Sequence, residues 1–154
     1  EPTSSLGYAM AAMVYWWEVY RGLSDNPSRA LARAEELARD SLRMEDTSGY
    51  AHLVLAHTHL QRREFDEALI EAGAVVFEDN CAACHGSDGS GDINVGAPNL
   101  ADALWLYGGD LETVTETITN SRSGVMPAWS TEGRLNEAQL RQVAVYVHEL
   151  GGGE

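Results

Sequence analysis

Apolar residues recur at three- and four-residue intervals over most of this chain, and nowhere do they alternate with polar ones as in a half-buried strand. The pattern predicts an all-α fold. An apolar and aromatic run carrying Tyr15, Trp16, Trp17 and Tyr20 predicts a first helix over 6–21. Ser24-Asp25-Asn26-Pro27 then supplies capping residues, with proline suited to a first helical position. Leu31, Ala34, Leu37, Ala38 and Leu42 give a second helix, over 28–44, its apolar stripe. Two more helices are expected, over 49–61 and 64–79. The later chain is richer in glycine and turn residues: Gly86 to Asp92 reads as a turn-forming loop, and Gly96-Ala97-Pro98-Asn99-Leu100 precedes a short helix expected to carry Leu104, Trp105 and Tyr107. Asp110 is placed to cap a helix through Leu111, Val114 and Ile118. A last helix begins at Asn136, with Gln139 completing a capping box, Leu140, Val143, Ala144 and Val147 as its stripe, and Gly151 as its stop. The longest apolar run, Leu6 to Trp17, falls well short of the ~20 residues needed to span a bilayer.

The third and fourth helices resemble a tetratricopeptide repeat. Tyr50 to Leu60 matches its first helix and Phe65-Asp66-Glu67-Ala68-Leu69 opens its second, with Ala56 and Ala68 at the small positions of the helix crossing. One step back by the roughly 34-residue period lands on Gly22 and Ala34, again small. Two repeats are fewer than such folds need to bury their faces, so another element must cover them. Gly73 and Phe77, four apart on one helix face, make the segment about 64–80 a candidate for a helix shared between two domains. The expected organisation is a repeat module over 1–72 and a second domain over 73–154.

That second domain carries Cys81-Ala82-Ala83-Cys84-His85 near its start. C-x-x-C-H is the attachment motif of haem c: two thiols add to the haem vinyl groups and the histidine becomes one axial ligand of iron. A C-x-x-C pair also serves disulfide exchange and zinc binding. Zinc needs two further ligands, the chain has no other cysteine, and no β-α-β pattern accompanies the motif. One covalent haem c is the expectation.

Iron needs a sixth ligand. Met126 lies in Gly124-Val125-Met126-Pro127-Ala128-Trp129, where Pro127 restricts the backbone and no helical stripe claims the methionine for a core. Met10, Met13 and Met44 lie in helices and read as packing. His148 is the competing candidate, near the end of the last helix. His52 and His59, seven apart on one face, fall where the repeat wants bulky packing residues, and a metal role is the alternative; His57 points elsewhere.

Residues 73–153 resemble the haem c domains of the diheme cytochrome subunit of cbb-type haem–copper oxidases. The resemblance is carried by Cys81-Ala82-Ala83-Cys84-His85-Gly86, Gly96-Ala97-Pro98-Asn99-Leu100, Trp105-Leu106-Tyr107-Gly108-Gly109, the Gly124–Trp129 loop and the Tyr146-to-Gly153 tail. It implies His85/Met126 axial ligation, a Pro98 carbonyl orienting the His85 imidazole, Arg122 against a haem propionate, and Leu100, Trp105, Tyr107 and Trp129 in the haem pocket. Ordinary core packing explains the aromatics almost as well. The expectation is a departure from that family, with the helical repeat module in place of a transmembrane anchor and a second haem domain.

Composition narrows the partners. The formal charge is −14, and all ten bases are arginine. Such a surface does not suit nucleic acid. The absence of lysine is explained equally by an alkaline or saline habitat and by codon usage. With histidine and methionine both on iron there is no open position for substrate, so an electron carrier rather than an enzyme is expected, exchanging single electrons between an oxidoreductase donor and a terminal oxidase or other acceptor. The alternatives are a module whose repeats recruit a protein partner while the haem relays redox state, and a peroxidase-like activity requiring Met126 to dissociate. Haem c is assembled outside the cytoplasmic membrane, which makes the periplasm the expected compartment, with any leader or anchor already removed before Glu1.

Overall fold

A computed structural model describes residues 3–45, 47–131 and 134–153. Seven helices are formed among them: α1 (Ser5–Tyr20), α2 (Pro27–Met44), α3 (Gly49–Arg62), α4 (Phe65–Asn80), α5 (Ala82–His85), α6 (Leu111–Asn120) and α7 (Glu137–Leu150). No strand occurs among the described residues, only an isolated antiparallel bridge between Asp92 and Ala97. The chain divides into two compact units, Glu1–Val75 and Val76–Glu154, and the division falls inside α4.

The first unit is built by small residues. Ala9 and Ala12 of α1, Ala34, Leu37 and Ala38 of α2, and Ala51, Val54 and Leu55 of α3 form its buried core, with Tyr8, Met13, Trp16 and Leu42 packed around them. Alanine at these positions lets helix backbones approach closely, and burial of the apolar stripe supplies the driving force. Helix starts match the sequence: Ser4 accepts a hydrogen bond from the Gly7 N–H, and Asn26 from that of Arg29 ahead of Pro27. Ser48 makes no such bond for α3. It accepts instead from the buried Ser41 hydroxyl at 3.3 Å, which also lies 3.0 Å from the Ser5 hydroxyl. One serine cluster therefore joins the starts of α1 and α3 to the last turns of α2. Between α3 and α4, His52 Nδ1 lies 2.6 Å from Glu71 Oε2. At the turn joining them, His59 Nδ1 lies 2.7 Å from Glu64 Oε2.

The repeat phasing expected around Gly22 is not formed. Gly22 falls after α1, in a left-handed turn (φ +67) with no atom near the place of its missing Cβ. It closes a helix and does not sit in a helix crossing. The steps from Ser5 to Gly49 and from Pro27 to Phe65 both exceed the roughly 34-residue repeat period. Ala56 and Ala68 are both buried.

In the second unit, Val76 and Phe77 at the end of α4 join Val114 and Ile118 of α6, Leu135, and Val143, Ala144 and Val147 of α7 in one buried core. The Phe77 and Tyr146 rings sit 5.3 Å apart, inclined by 54°. Asp110 caps α6 through the Thr113 N–H, and Asn136 and Gln139 form the reciprocal capping box of α7. The short helix expected around Leu104, Trp105 and Tyr107 is absent. Asn99 accepts from the Ala101 N–H and Asp102 from the Leu104 N–H, both at 2.8 Å. These side-chain turns take the amides a helix would use, and Gly108 (φ +118) reverses the chain before α6.

Candidate functional site

The motif cysteines lie where α4 hands over to α5. The Cys81 N–H still bonds to Phe77 O (2.7 Å), and the Cys84 and His85 N–H groups bond back to Cys81 O at 3.0 and 2.9 Å. One helical turn therefore carries both sulfurs, three apart on one face, with His85 directly after. Both cysteines are free: Cys81 partly buried, Cys84 exposed. Burial, with the neighbouring Cys84 adding to it, pushes the Cys81 thiol up from 9.0 to about 11, so it stays protonated at neutral pH.

His85 is buried, and its Nδ1 lies 3.1 Å from the Pro98 carbonyl. A carbonyl only accepts, so Nδ1 carries the proton and Nε2 keeps its lone pair for a metal. The loop that brings Pro98 there depends on Gly91. Its N–H bonds to His85 O at 2.7 Å, its φ is +79, and a Cβ on it would stand 2.6 Å from Ala97 O and the Pro98 carbonyl carbon. Paired bonds between Asp92 and Ala97, both 3.0 Å, close the loop, and the Leu100 N–H fastens it to Gly89 O at 2.7 Å. Leu100 is half-buried against the core of the unit.

Trp105 is half-buried against the same core and lies between two glycine backbones. A Cβ at Gly109 would come within 2.5 Å of the indole, and one at Gly151 within 2.3 Å. Gly151, legible in the sequence only as a helix stop, thus also seats Trp105. Met126 and Trp129 pack against this core as well, while Val125 beside the methionine is 90 % exposed. The Trp129 N–H bonds to Ile118 O at 3.2 Å and the Ser130 N–H to Thr119 O at 3.2 Å, tying the loop to the end of α6. The Arg134 guanidinium lies 5.7 Å from the Trp129 ring centre.

Tyr107 and Arg122 meet, the guanidinium 5.3 Å from the ring centre. Arg122 also pairs with Glu116, a contact that sequence reasoning missed because nothing distinguishes Glu116 from any other acid on a helix surface.

These residues fit a covalently held haem. The two thiols are unpaired and share a turn, one histidine nitrogen is free for iron, and a thioether lies among the apolar residues of the same unit. Leu104 and Leu106, flanking Trp105, are 85 and 86 % exposed, apolar surface of the kind a porphyrin edge can cover. Among the described residues no three His, Cys, Asp or Glu side chains gather as a metal site. His52 and His59 face carboxylates instead, and His57 Nδ1 lies 2.7 Å from Leu53 O with its ring against Trp16. No described helix is long and apolar enough to cross a membrane.

Comparison with known proteins gives one family. The family model for cytochrome C oxidase, cbb3-type, subunit III matches residues 68–147. The cbb3-type cytochrome c oxidase subunit CcoP of Cereibacter sphaeroides is 56% identical over 109 residues, covering 71% of this chain and 37% of that protein. The FixP subunit of Bradyrhizobium sp. is 56% identical over 93 residues, 60% of this chain and 30% of its own length. CcoP of Azospirillum brasilense is 47% identical over 121 residues, 75% of this chain and 39% of its own length. The chain spans between 30% and 39% of the length of these curated relatives. No solved structure matches.

Proposed function

Since the chain belongs to the cbb3-type cytochrome c oxidase subunit III family, we propose that residues 76–153 hold one haem c, covalently through Cys81 and Cys84, with His85 and Met126 as axial ligands, and pass single electrons between redox proteins. The observation that carries this reading is the buried His85, its Nδ1 on the Pro98 carbonyl, one residue after two free thiols on one helical turn. When bound, the haem supplies a reversible one-electron couple.

The chain's own residues do the rest. Pro98 fixes the histidine tautomer, which leaves the Nε2 lone pair available to hold the iron of a bound haem. Met126 adds a soft sulfur that favours the reduced state. Trp105, Tyr107, Trp129 and Leu100 exclude water around the group, and Arg122 partners a haem propionate. With His85 and Met126 both holding the group, no position would be left for a substrate, which suits an electron carrier rather than an enzyme, and this domain is a carrier. Its relatives are named as subunits of cbb3-type oxidases, which supports a donor and an acceptor within or around such a complex, in the periplasm where haem c is assembled. The helices of the first unit serve as a docking module for a protein partner. Exposed Tyr50, Leu53, Leu60 and Phe65 on α3 and α4 favour docking.

The test is attachment together with coordination. Holoprotein matured with haem c should keep its haem through denaturing electrophoresis and lose it when Cys81 and Cys84 are both replaced by serine. Its ferrous form should bind no carbon monoxide. Haem extractable by acid solvent, or ready carbon monoxide binding, contradicts the proposal.

A further inference from the structure

Ser121, the residue that ends α6, has φ 55 and ψ −179. Glycine adopts this conformation freely; a serine holds it only when its surroundings compel it. The other positive-φ non-glycine residue among those described, Arg63, lies in the ordinary left-handed region that closes α3. At Ser121 the chain turns Arg122 back along α6 instead of onward.

The guanidinium then meets three partners. Its Nη1 and Nη2 donate to the two Glu116 oxygens at 3.1 and 3.0 Å, and its Nε donates to Thr117 Oγ1 at 3.2 Å. The Tyr107 ring lies against it at 5.3 Å. Thr117 spends its own hydroxyl proton on Thr113 O at 2.8 Å, which leaves its oxygen free to accept. Of the five guanidinium donors three are used; the two N–H groups that remain, one on each Nη, point to opposite sides of the fork, so each can meet another carboxylate singly. A single partly exposed ion pair adds little stability, and backbone strain of this kind costs more than such a pair contributes. The arrangement is better explained by what Arg122 is held ready to do.

We infer that Glu116 restrains Arg122 beside the haem: it holds the fork against Tyr107, leaves a donor for a propionate, and limits how far the arginine charge acts on that propionate. This deepens the proposed function and rests on it. A positive charge beside the propionate favours ferrous iron, and Glu116 subtracts from that field. Removing the Glu116 charge frees Arg122 to pair fully with the propionate, so both effects act in the same direction.

The test is the one-electron midpoint potential of the full holoprotein at low ionic strength. Glu116→Gln should raise it, whereas Glu116→Asp, which keeps the charge, should leave it close to the parent value. In an Arg122→Gln background the rise caused by Glu116→Gln should shrink, because no arginine remains to be released. An unchanged or lowered midpoint overturns the inference. So does an equal rise in both backgrounds, which is the behaviour of a surface charge acting on its own. The parent's absorption spectrum separates the two levels. A parent without covalent low-spin haem defeats the proposed function and this inference with it, whereas a normal parent spectrum with no Glu116 effect defeats the inference alone.

Discussion

Gly91 bears directly on His85: its N–H donates to the histidine's carbonyl, and it packs, without a Cβ, on the Ala97 oxygen and on the Pro98 carbonyl that accepts from the imidazole Nδ1–H. Gly91→Ala would put a methyl 2.6 Å from backbone atoms at a φ of +79. The expected cost is about 2 kcal/mol, from strain and displaced backbone together. Chemical denaturation of the holoprotein measures it; a loss below about 0.5 kcal/mol would mean that the loop closes without this contact. At this scale the motif residues were legible because attachment chemistry dictates their types and spacing. Gly91 and Gly151 were not, since a glycine that avoids a clash reads like one that ends an element. Glu116 was invisible for a different reason: its partner reaches it only because Ser121 turns the chain back.

Helices were read closely wherever a cap and a stripe agreed. The Asn136–Gln139 box, the Asp110 cap and the Asn26-Pro27 start all form as their residue types require. Reading failed between 99 and 110, where two side-chain turns outcompete a helix with apolar residues at plausible spacing, and at Gly22, where a small residue suggested a crossing but closes a turn. Both failures are competitions that a hydrophobic pattern does not register. The Asp110 cap gives an element-scale prediction. The Thr113 N–H holds its carboxyl below the ordinary 3.8. A depressed native value means the cap stabilises α6 above about pH 3.8, and that contribution is lost as the pH falls through the native value. Asp110→Asn keeps an acceptor but does not titrate. Denaturation profiles across that range should therefore show an acid-dependent loss in the parent that is smaller in the variant. Superimposable profiles would remove the carboxylate from the account.

At the scale of the whole molecule, the haem motif begins one residue after α4 ends, and α4 runs without interruption from Phe65 through the division between the two units. The absence of any proline or glycine-rich linker there is what led to the expectation of one helix over about 64–80. The charge of −14, carried with no lysine, leaves a surface whose bases are all arginines. In the second unit Arg122 is engaged by Glu116 and Tyr107, and Arg134 by Trp129. A ring of free lysines of the kind that steers an acidic partner has no counterpart in this chain. All of this presupposes iron held between His85 and Met126. The most direct test is the ferric absorption spectrum of the purified holoprotein beside that of Met126→Ala. The account predicts a low-spin six-coordinate spectrum with a methionine–iron charge-transfer band in the parent, and loss of that band in the variant. A high-spin five-coordinate parent, or a band that survives the substitution, would contradict it.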